Sequence, residues 1–218
     1  MNPLVGYSHP LFGGVMRIAV SGTIGAGKST LCEQMSEPLG YEVFAEPVAD
    51  NPYLEDFYAD PHRWAFDAQV FMISHRFRRQ MEAVHASEDK GFLLDRCFHE
   101  DRVFAEVNHE IGHISDRDWH TYLHLYESFC RVVPPPEVVV YLRTSPEVAV
   151  QRIRQRGRES EQGISMEYMR RLHYAYDRWF QHMKTKTKVL LVPWDDYTDP
   201  GVEGVIRLIG DGSISLPT

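Results

Sequence analysis

Eight residues near the start of the chain have the types and spacing to hold a polyphosphate. Gly22-Thr-Ile-Gly25-Ala26-Gly27-Lys28-Ser29 fits G-x-x-x-x-G-K-[ST]. The glycines let the backbone fold into a nest whose N–H groups converge on phosphate oxygens. Lys28, Ser29 and Thr30 open a helix whose unpaired N–H groups and dipole add positive potential. Lys28 can reach the β- and γ-phosphates, and the Ser29 hydroxyl can ligate Mg²⁺. With the apolar run Ile18-Ala-Val20 before it and Leu31, Met35 and Leu39 after it, the segment reads as strand, phosphate loop and helix. This chemistry is the binding of a nucleoside triphosphate.

Four further groups of residues could act on such a ligand. Asp95 ends the apolar run from Gly91 and is followed by Arg96. A carboxylate there suits water-mediated Mg²⁺ binding, and the arginine suits a transferring phosphoryl group. A surface ion pair is the plainer alternative. Glu46 follows another short apolar run and precedes Pro47, where it could accept a proton from an acceptor hydroxyl or cap a helix. Arg152, Arg154, Arg156 and Arg158 lie in QRIRQRGR, with Arg152 and Arg156 one helical turn apart. Cations suit a helix C-terminus, yet in an acidic chain this cluster before Gly163 reads as a lid closing on phosphates. Finally, Gln69, Met72, Ile73 and Arg76 share one helical face by spacing, with Tyr58 upstream. A plain core would avoid that amide and guanidinium, and a Gln amide can pair with a nucleobase edge. The competing reading is a face grading from core to surface.

Composition sets the frame for these groups. A chain of 218 residues, 43% hydrophobic and 25% charged, suits one α/β domain. Its net charge of −8 argues against an extended nucleic-acid surface. No run approaches the length of a membrane span. Cys32, Cys97 and Cys130 show no metal-ligand spacing and read as free thiols in a reducing cytoplasm. Residues 1–15 lack the basic start of a signal peptide and read as a disordered extension, 16–210 as one domain and 211–218 as a loose tail.

Apolar strands are expected from Met16 through the run 18–20, and near 41–45, 91–95, 138–142 and 188–192. Helices are expected at 28–39 (ended by Gly40), 51–60, 61–87, 98–109, 115–132 (capped by Ser115), from the Ser145-Pro146 cap into the arginines at 152–158, at 165–184 and after Pro200. Alternating strands and helices imply a five-stranded parallel sheet flanked by helices, with strand ends lining one ligand-binding edge.

Glu46-Pro-Val, Asp95-Arg96-Cys and Arg156-Gly-Arg158-Glu-Ser-Glu161-Gln-Gly-Ile follow the phosphate loop in that order. Together they resemble the deoxyribonucleoside kinases, a family that includes deoxycytidine, deoxyguanosine and bacterial deoxyadenosine kinases. The similarity runs from about residue 16 to 198. It implies a P-loop kinase fold with an Arg-rich lid, and transfer of the ATP γ-phosphate to a deoxynucleoside 5′-hydroxyl with Mg²⁺. Glu46 matches the family's general base. Asp95 and Arg96 match its [ED]-R-S motif, with Cys97 in place of serine. Gln69 matches the base-binding glutamine, while Arg76 and Asp101 match a charged pair at the base's far edge. Tyr58 and Glu161 match residues that hold the sugar 3′-hydroxyl. Arg152, Arg156 and Arg158 match lid arginines, and Asp196-Tyr197 lies where the family loops over the donor adenine. One departure stands out: the family often has a stacking Phe where this chain has Ala105, and Phe104 comes one residue early.

The resemblance implies that members accepting thymidine usually lack the pair matched here by Arg76 and Asp101, which favours deoxyadenosine, deoxyguanosine or deoxycytidine, deoxyadenosine first; Met72 stands where some relatives have a smaller residue. The resemblance also implies a dimer through helices near 98–132, either of identical subunits or with a paralogue. A nucleoside monophosphate kinase is the alternative enzyme, against which the Glu46 carboxylate argues. A GTP-dependent switch would need N-K-x-D, which is absent throughout.

Overall fold

Strand β1 (Arg17–Ser21) lies at the centre of a five-stranded sheet in the computed structural model, which describes residues 16–45, 51–86, 90–158, 161 and 163–210. Its neighbours are β3 (Phe92–Asp95) and β4 (Val138–Arg143), with β2 (Glu42–Phe44) and β5 (Lys188–Pro193) at the edges. All pairs are parallel, in the order β2-β3-β1-β4-β5. The near-continuous apolar runs of β1, β3 and β4 follow from burial on both faces.

Alternation along the strands sorts the core into two layers. Ile18, Val20, Val138, Val140 and Leu142 pack against helices α1 (Lys28–Leu39) and α8 (Gly201–Gly210). Ala19, Val139 and Tyr141 pack on the other face with Leu172, Tyr176 and Trp179 of α7 (Met166–Met183). A third apolar cluster joins α2 (Leu54–Ala59), α3 (Pro61–Ala86), α4 (Asp101–Glu110) and α5 (Asp116–Cys130). Helix α6 (Pro146–Arg156) returns from β4, its N-terminus capped by the Ser145 hydroxyl accepting from the Val148 N–H.

The expected elements are present, with three local differences. Strand β2 is shorter than 41–45. Asn51-Pro52 does not begin a helix directly: Asn51 Oδ1 accepts from the Tyr53 N–H at 2.9 Å in a turn, and α2 starts at Leu54. The segment expected as one helix from 98 opens as a 3₁₀ turn (Phe98–Glu100), capped by Cys97 Sγ accepting from the His99 N–H at 3.3 Å. Among the described residues no helix is long and apolar enough to cross a membrane. Residues 1–15, 46–50, 87–89, 159–160, 162 and 211–218 lie outside the description, so the expectations for both termini and for Glu46 fall on undescribed residues.

Candidate active site

The sheet's strand order reverses about β1, which opens a crevice at the C-terminal ends of β1 and β3. The phosphate loop leaves β1 there and enters α1. Gly25 has φ +76, and a Cβ on it would lie 2.5 Å from the Ala149 carbonyl oxygen of α6. Gly27 has φ +92, and its Cβ would lie 2.9 Å from the Tyr197 ring. A side chain at either position would both strain the backbone and collide. The Lys28 ammonium donates to the Thr23 carbonyl at 2.8 Å, so it lies over the loop it is expected to serve.

Val20 and Asp95 are register partners, and this sets the loop beside the end of β3. Ser29 Oγ donates to Asp95 Oδ2 at 2.5 Å. The other carboxylate oxygen, Oδ1, is buried and has no hydrogen-bond partner among the described residues. A hydroxyl, a carboxylate and an orphaned oxygen at the mouth of a phosphate loop fit Mg²⁺. This ion takes one or two protein oxygens and completes its octahedron with water and phosphate. Among the described residues no group of three or more His, Cys, Asp or Glu is placed to hold a metal ion, and an ion shared with a triphosphate requires none.

From this edge a cleft of about 190 Å³ runs between the helices. Gly25, Lys28, Ser29, Asp95, Arg96, Arg156, Arg158 and Glu161 line its phosphate end. Tyr58, Gln69, Met72, Arg76 and Phe104 line the rest. The sequence thus names most of the wall, but not Ile24, Asn51, Leu54, Phe57, Ala68 or Tyr168. A larger hollow of about 400 Å³ lies behind Phe57, Tyr58 and Tyr168 and touches none of the phosphate-loop residues.

Arg76 and Asp101 form a buried ion pair at the far wall. The Arg76 guanidinium carbon lies 5.9 Å from the centre of the Phe104 ring. Phe104 lines the cleft, while Asp101, three residues earlier on α4, is wholly buried behind Arg76 and does not itself line it, and Ala105 turns into the helical cluster. Position 104 therefore supplies the aromatic wall. Ile73 departs from expectation: it is fully buried with Phe57, Ala65 and Phe98, not on the cleft. The rotation of 100° per residue carries it past the edge defined by Gln69, Met72 and Arg76.

Around the lid segment, Arg156 and Arg158 both meet the buried Glu161 carboxylate, Arg158 at 3.4 Å. Arg152 does not share their partner. Its guanidinium donates to the Asp195 carbonyl at 2.9 Å and the Ala26 carbonyl at 3.4 Å, and lies 3.9 Å from the centre of the Tyr197 ring. It therefore ties the phosphate loop to the 194–198 loop. Asp196 Oδ1 accepts from the Thr198 N–H and hydroxyl, which holds its pKa below the usual carboxylate value. Burial pushes the Tyr58 phenol well above its usual pKa, so it stays a neutral donor.

Gly22, Ala26 and Thr30 complete the loop and first turn without lining the cleft. The cleft has the parts of a phosphoryl-transfer site: a phosphate nest, a candidate Mg²⁺ position, several arginines and a pocket with polar and aromatic walls.

A family model for deoxynucleoside kinase matches residues 18–203. The chain is 37% identical over 202 residues to a deoxyadenosine/deoxycytidine kinase of Bacillus subtilis, covering 91% of this chain and 92% of that one. It is 36% identical over 183 residues to a deoxyadenosine kinase of Dictyostelium discoideum, covering 84% and 74%. Among solved structures, a deoxyadenosine kinase from M. mycoides with bound dCTP superposes with a TM-score of 0.80 at 31% identity. That match covers 90% of this chain and all of the other.

Proposed function

The chain belongs to the deoxynucleoside kinase family, and on that premise we propose how its cleft carries out the transfer. It has the P-loop kinase fold and is a phosphotransferase acting on a nucleoside, with ATP as donor and nucleotide salvage as the setting the family implies. The finer reading is transfer to the 5′-hydroxyl of deoxyadenosine in preference to deoxyguanosine or deoxycytidine. One observation supports transfer to a bound nucleoside most: the hydrogen-bonded Ser29 and Asp95 at the phosphate loop line the same cleft as Gln69 and Arg76.

In this reading the phosphate-loop N–H groups, Lys28 and Thr30 hold the donor phosphates. Arg152, Asp196 and Tyr197 hold its adenine. Ser29, and Asp95 through water, would hold a Mg²⁺ ion, which would supply neutralisation of phosphate charge. Gln69 reads the base, Met72 limits its depth, and Tyr58 with Glu161 positions the sugar. Glu46 accepts the 5′-hydroxyl proton as the phosphoryl group arrives. Arg96 and Arg158 stabilise charge on that group. Arg156 and Arg158 exchange Glu161 for phosphate as the Arg-rich lid closes. Residues 16–210 act as one cytoplasmic kinase domain that pairs with a second subunit through α4 and α5.

The test is transfer from γ-labelled ATP to deoxyadenosine over a Mg²⁺ titration, with the native chain and Asp95→Asn. The variant should need about tenfold more Mg²⁺ for half-maximal rate, with nucleoside KM little changed. An unchanged Mg²⁺ dependence overturns the metal assignment, and no labelled product from the native chain overturns the acceptor.

A further inference from the structure

Arg96 is the one non-glycine among the described residues with a positive φ, at 77°. Such a backbone costs about 1–2 kcal/mol for a residue with a Cβ, and is held only where its surroundings over-determine it. Here they do. The Arg96 N–H donates to the Val20 carbonyl at 3.0 Å, in line with the sheet. Its guanidinium Nη1 donates to the Gly22 carbonyl at 2.9 Å, to the Tyr176 hydroxyl at 2.6 Å and to the Glu100 carboxylate. The Tyr176 hydroxyl in turn donates to Glu100 Oε1 at 3.0 Å. The guanidinium carbon also lies 5.0 Å from the centre of the Phe104 ring.

The holder is itself anchored from three helices. Glu100 ends the 3₁₀ turn, whose Phe98 N–H donates to Gln80 Oε1 of α3 at 3.0 Å. The His99 carbonyl in that turn accepts from Tyr126 of α5 at 3.0 Å and from Trp179 of α7 at 2.8 Å. Tyr176, one turn before Trp179 on α7, stacks on Tyr141 of β4 at 6.0 Å between ring centres. Glu100 and Tyr176 are both wholly buried.

This arrangement is poorly explained by stability. A buried carboxylate is costly unless fully paired, and Glu100 Oε2 meets no partner among the described residues. What the network does achieve is a fixed guanidinium on the wall of the cleft, at the end of the strand that carries Asp95. A cation already aimed at the developing charge needs no reorganisation during the reaction. We propose that Glu100 and Tyr176, which belong to none of the recognised motifs, are positioning residues that set Arg96 for phosphoryl transfer. The inference rests on the reading that Arg96 acts on the transferring group.

Tyr176→Phe keeps the ring packing and removes only the hydroxyl. It should lower kcat about tenfold, leave both KM values within about twofold, and scarcely move Tm. Glu100→Gln, assayed where it folds, should lower kcat further, because the amide cannot neutralise the guanidinium. Arg96→Ala separates the two levels of the claim. If Arg96→Ala keeps native kcat, the reading of Arg96 fails. If Arg96→Ala is inactive while Tyr176→Phe keeps native kcat, or loses Tm alone, the positioning role is overturned. Combining Tyr176→Phe with Arg96→Ala should reduce kcat no more than Arg96→Ala alone, whereas an additive loss contradicts the proposal.

Discussion

Arg76 on α3 and Asp101 at the start of α4 are 25 residues apart in sequence, yet they meet as a buried ion pair behind the Gln69 end of the cleft. Gln69 and Arg76 are two turns apart on one helix, so both reach the same wall. Asp101 has no exposed surface, and its carboxylate fixes where the guanidinium points. Removing Asp101 alone breaks a buried ion pair, a change that costs about 3–5 kcal/mol. Asp101→Ala should therefore lower Tm and raise the deoxyadenosine KM together.

Removing charge and bulk at once should act differently. Arg76→Met with Asp101→Ala removes both charges of the pair and clears space beside Met72 and Phe104. The double variant should gain thymidine phosphorylation relative to deoxyadenosine, with ATP KM little changed. Steady-state kinetics on both nucleosides decide it, and an unaltered ratio means the pair does not govern base choice.

Glu46 lies outside the described residues, so its role as general base rests on its motif and on its place one residue beyond Ala45, which follows β2. Glu46→Gln preserves shape and removes the proton acceptor. The expected result is a fall in kcat of roughly 10²–10⁴-fold with a far smaller change in nucleoside KM. A loss confined to KM would assign Glu46 to substrate positioning.

His99 makes stability depend on pH. Burial lowers its imidazole pKa to about 4, against about 6.5 in the unfolded chain. Between those values the unfolded chain holds more protons, so stability is full above about 6.5 and declines as pH falls toward 4. The complete loss through this group is about 3 kcal/mol. Urea midpoints at pH 7 and pH 4.5 should fall less for His99→Gln than for the native chain. Parallel declines would exclude His99 as the source.

The frame of this molecule is legible because its strands are buried on both faces and its helices begin at unambiguous signals. Ser115, Ser145 and Ser165 each cap a helix with the hydroxyl, and the sequence places a helix start at or next to each of them. The cleft is harder, because an apolar residue on its wall and one in the core look alike along the chain. Phe57 and Ile73 both belong to the helical cluster, but only Phe57 also reaches the cleft. Glu100 is harder still: in the polar stretch His99-Glu100-Asp101 it resembles a surface carboxylate, and only packing of α7 against the 3₁₀ turn buries it under Arg96. Cys97 was legible as a substitution, and its function as a thiol cap emerged from the turn it closes.

Phosphorylation of a deoxynucleoside 5′-hydroxyl is read out by presenting γ-labelled ATP·Mg²⁺ and the native chain with deoxyadenosine, deoxyguanosine, deoxycytidine, thymidine and deoxyadenosine 5′-monophosphate in parallel. Initial rates should give kcat/KM highest for deoxyadenosine, lower for deoxyguanosine and deoxycytidine, and lowest for thymidine, each product carrying the label at the 5′ position. Labelling of the monophosphate with none of the nucleosides would contradict the account, because the acceptor would then be a phosphate and not a 5′-hydroxyl.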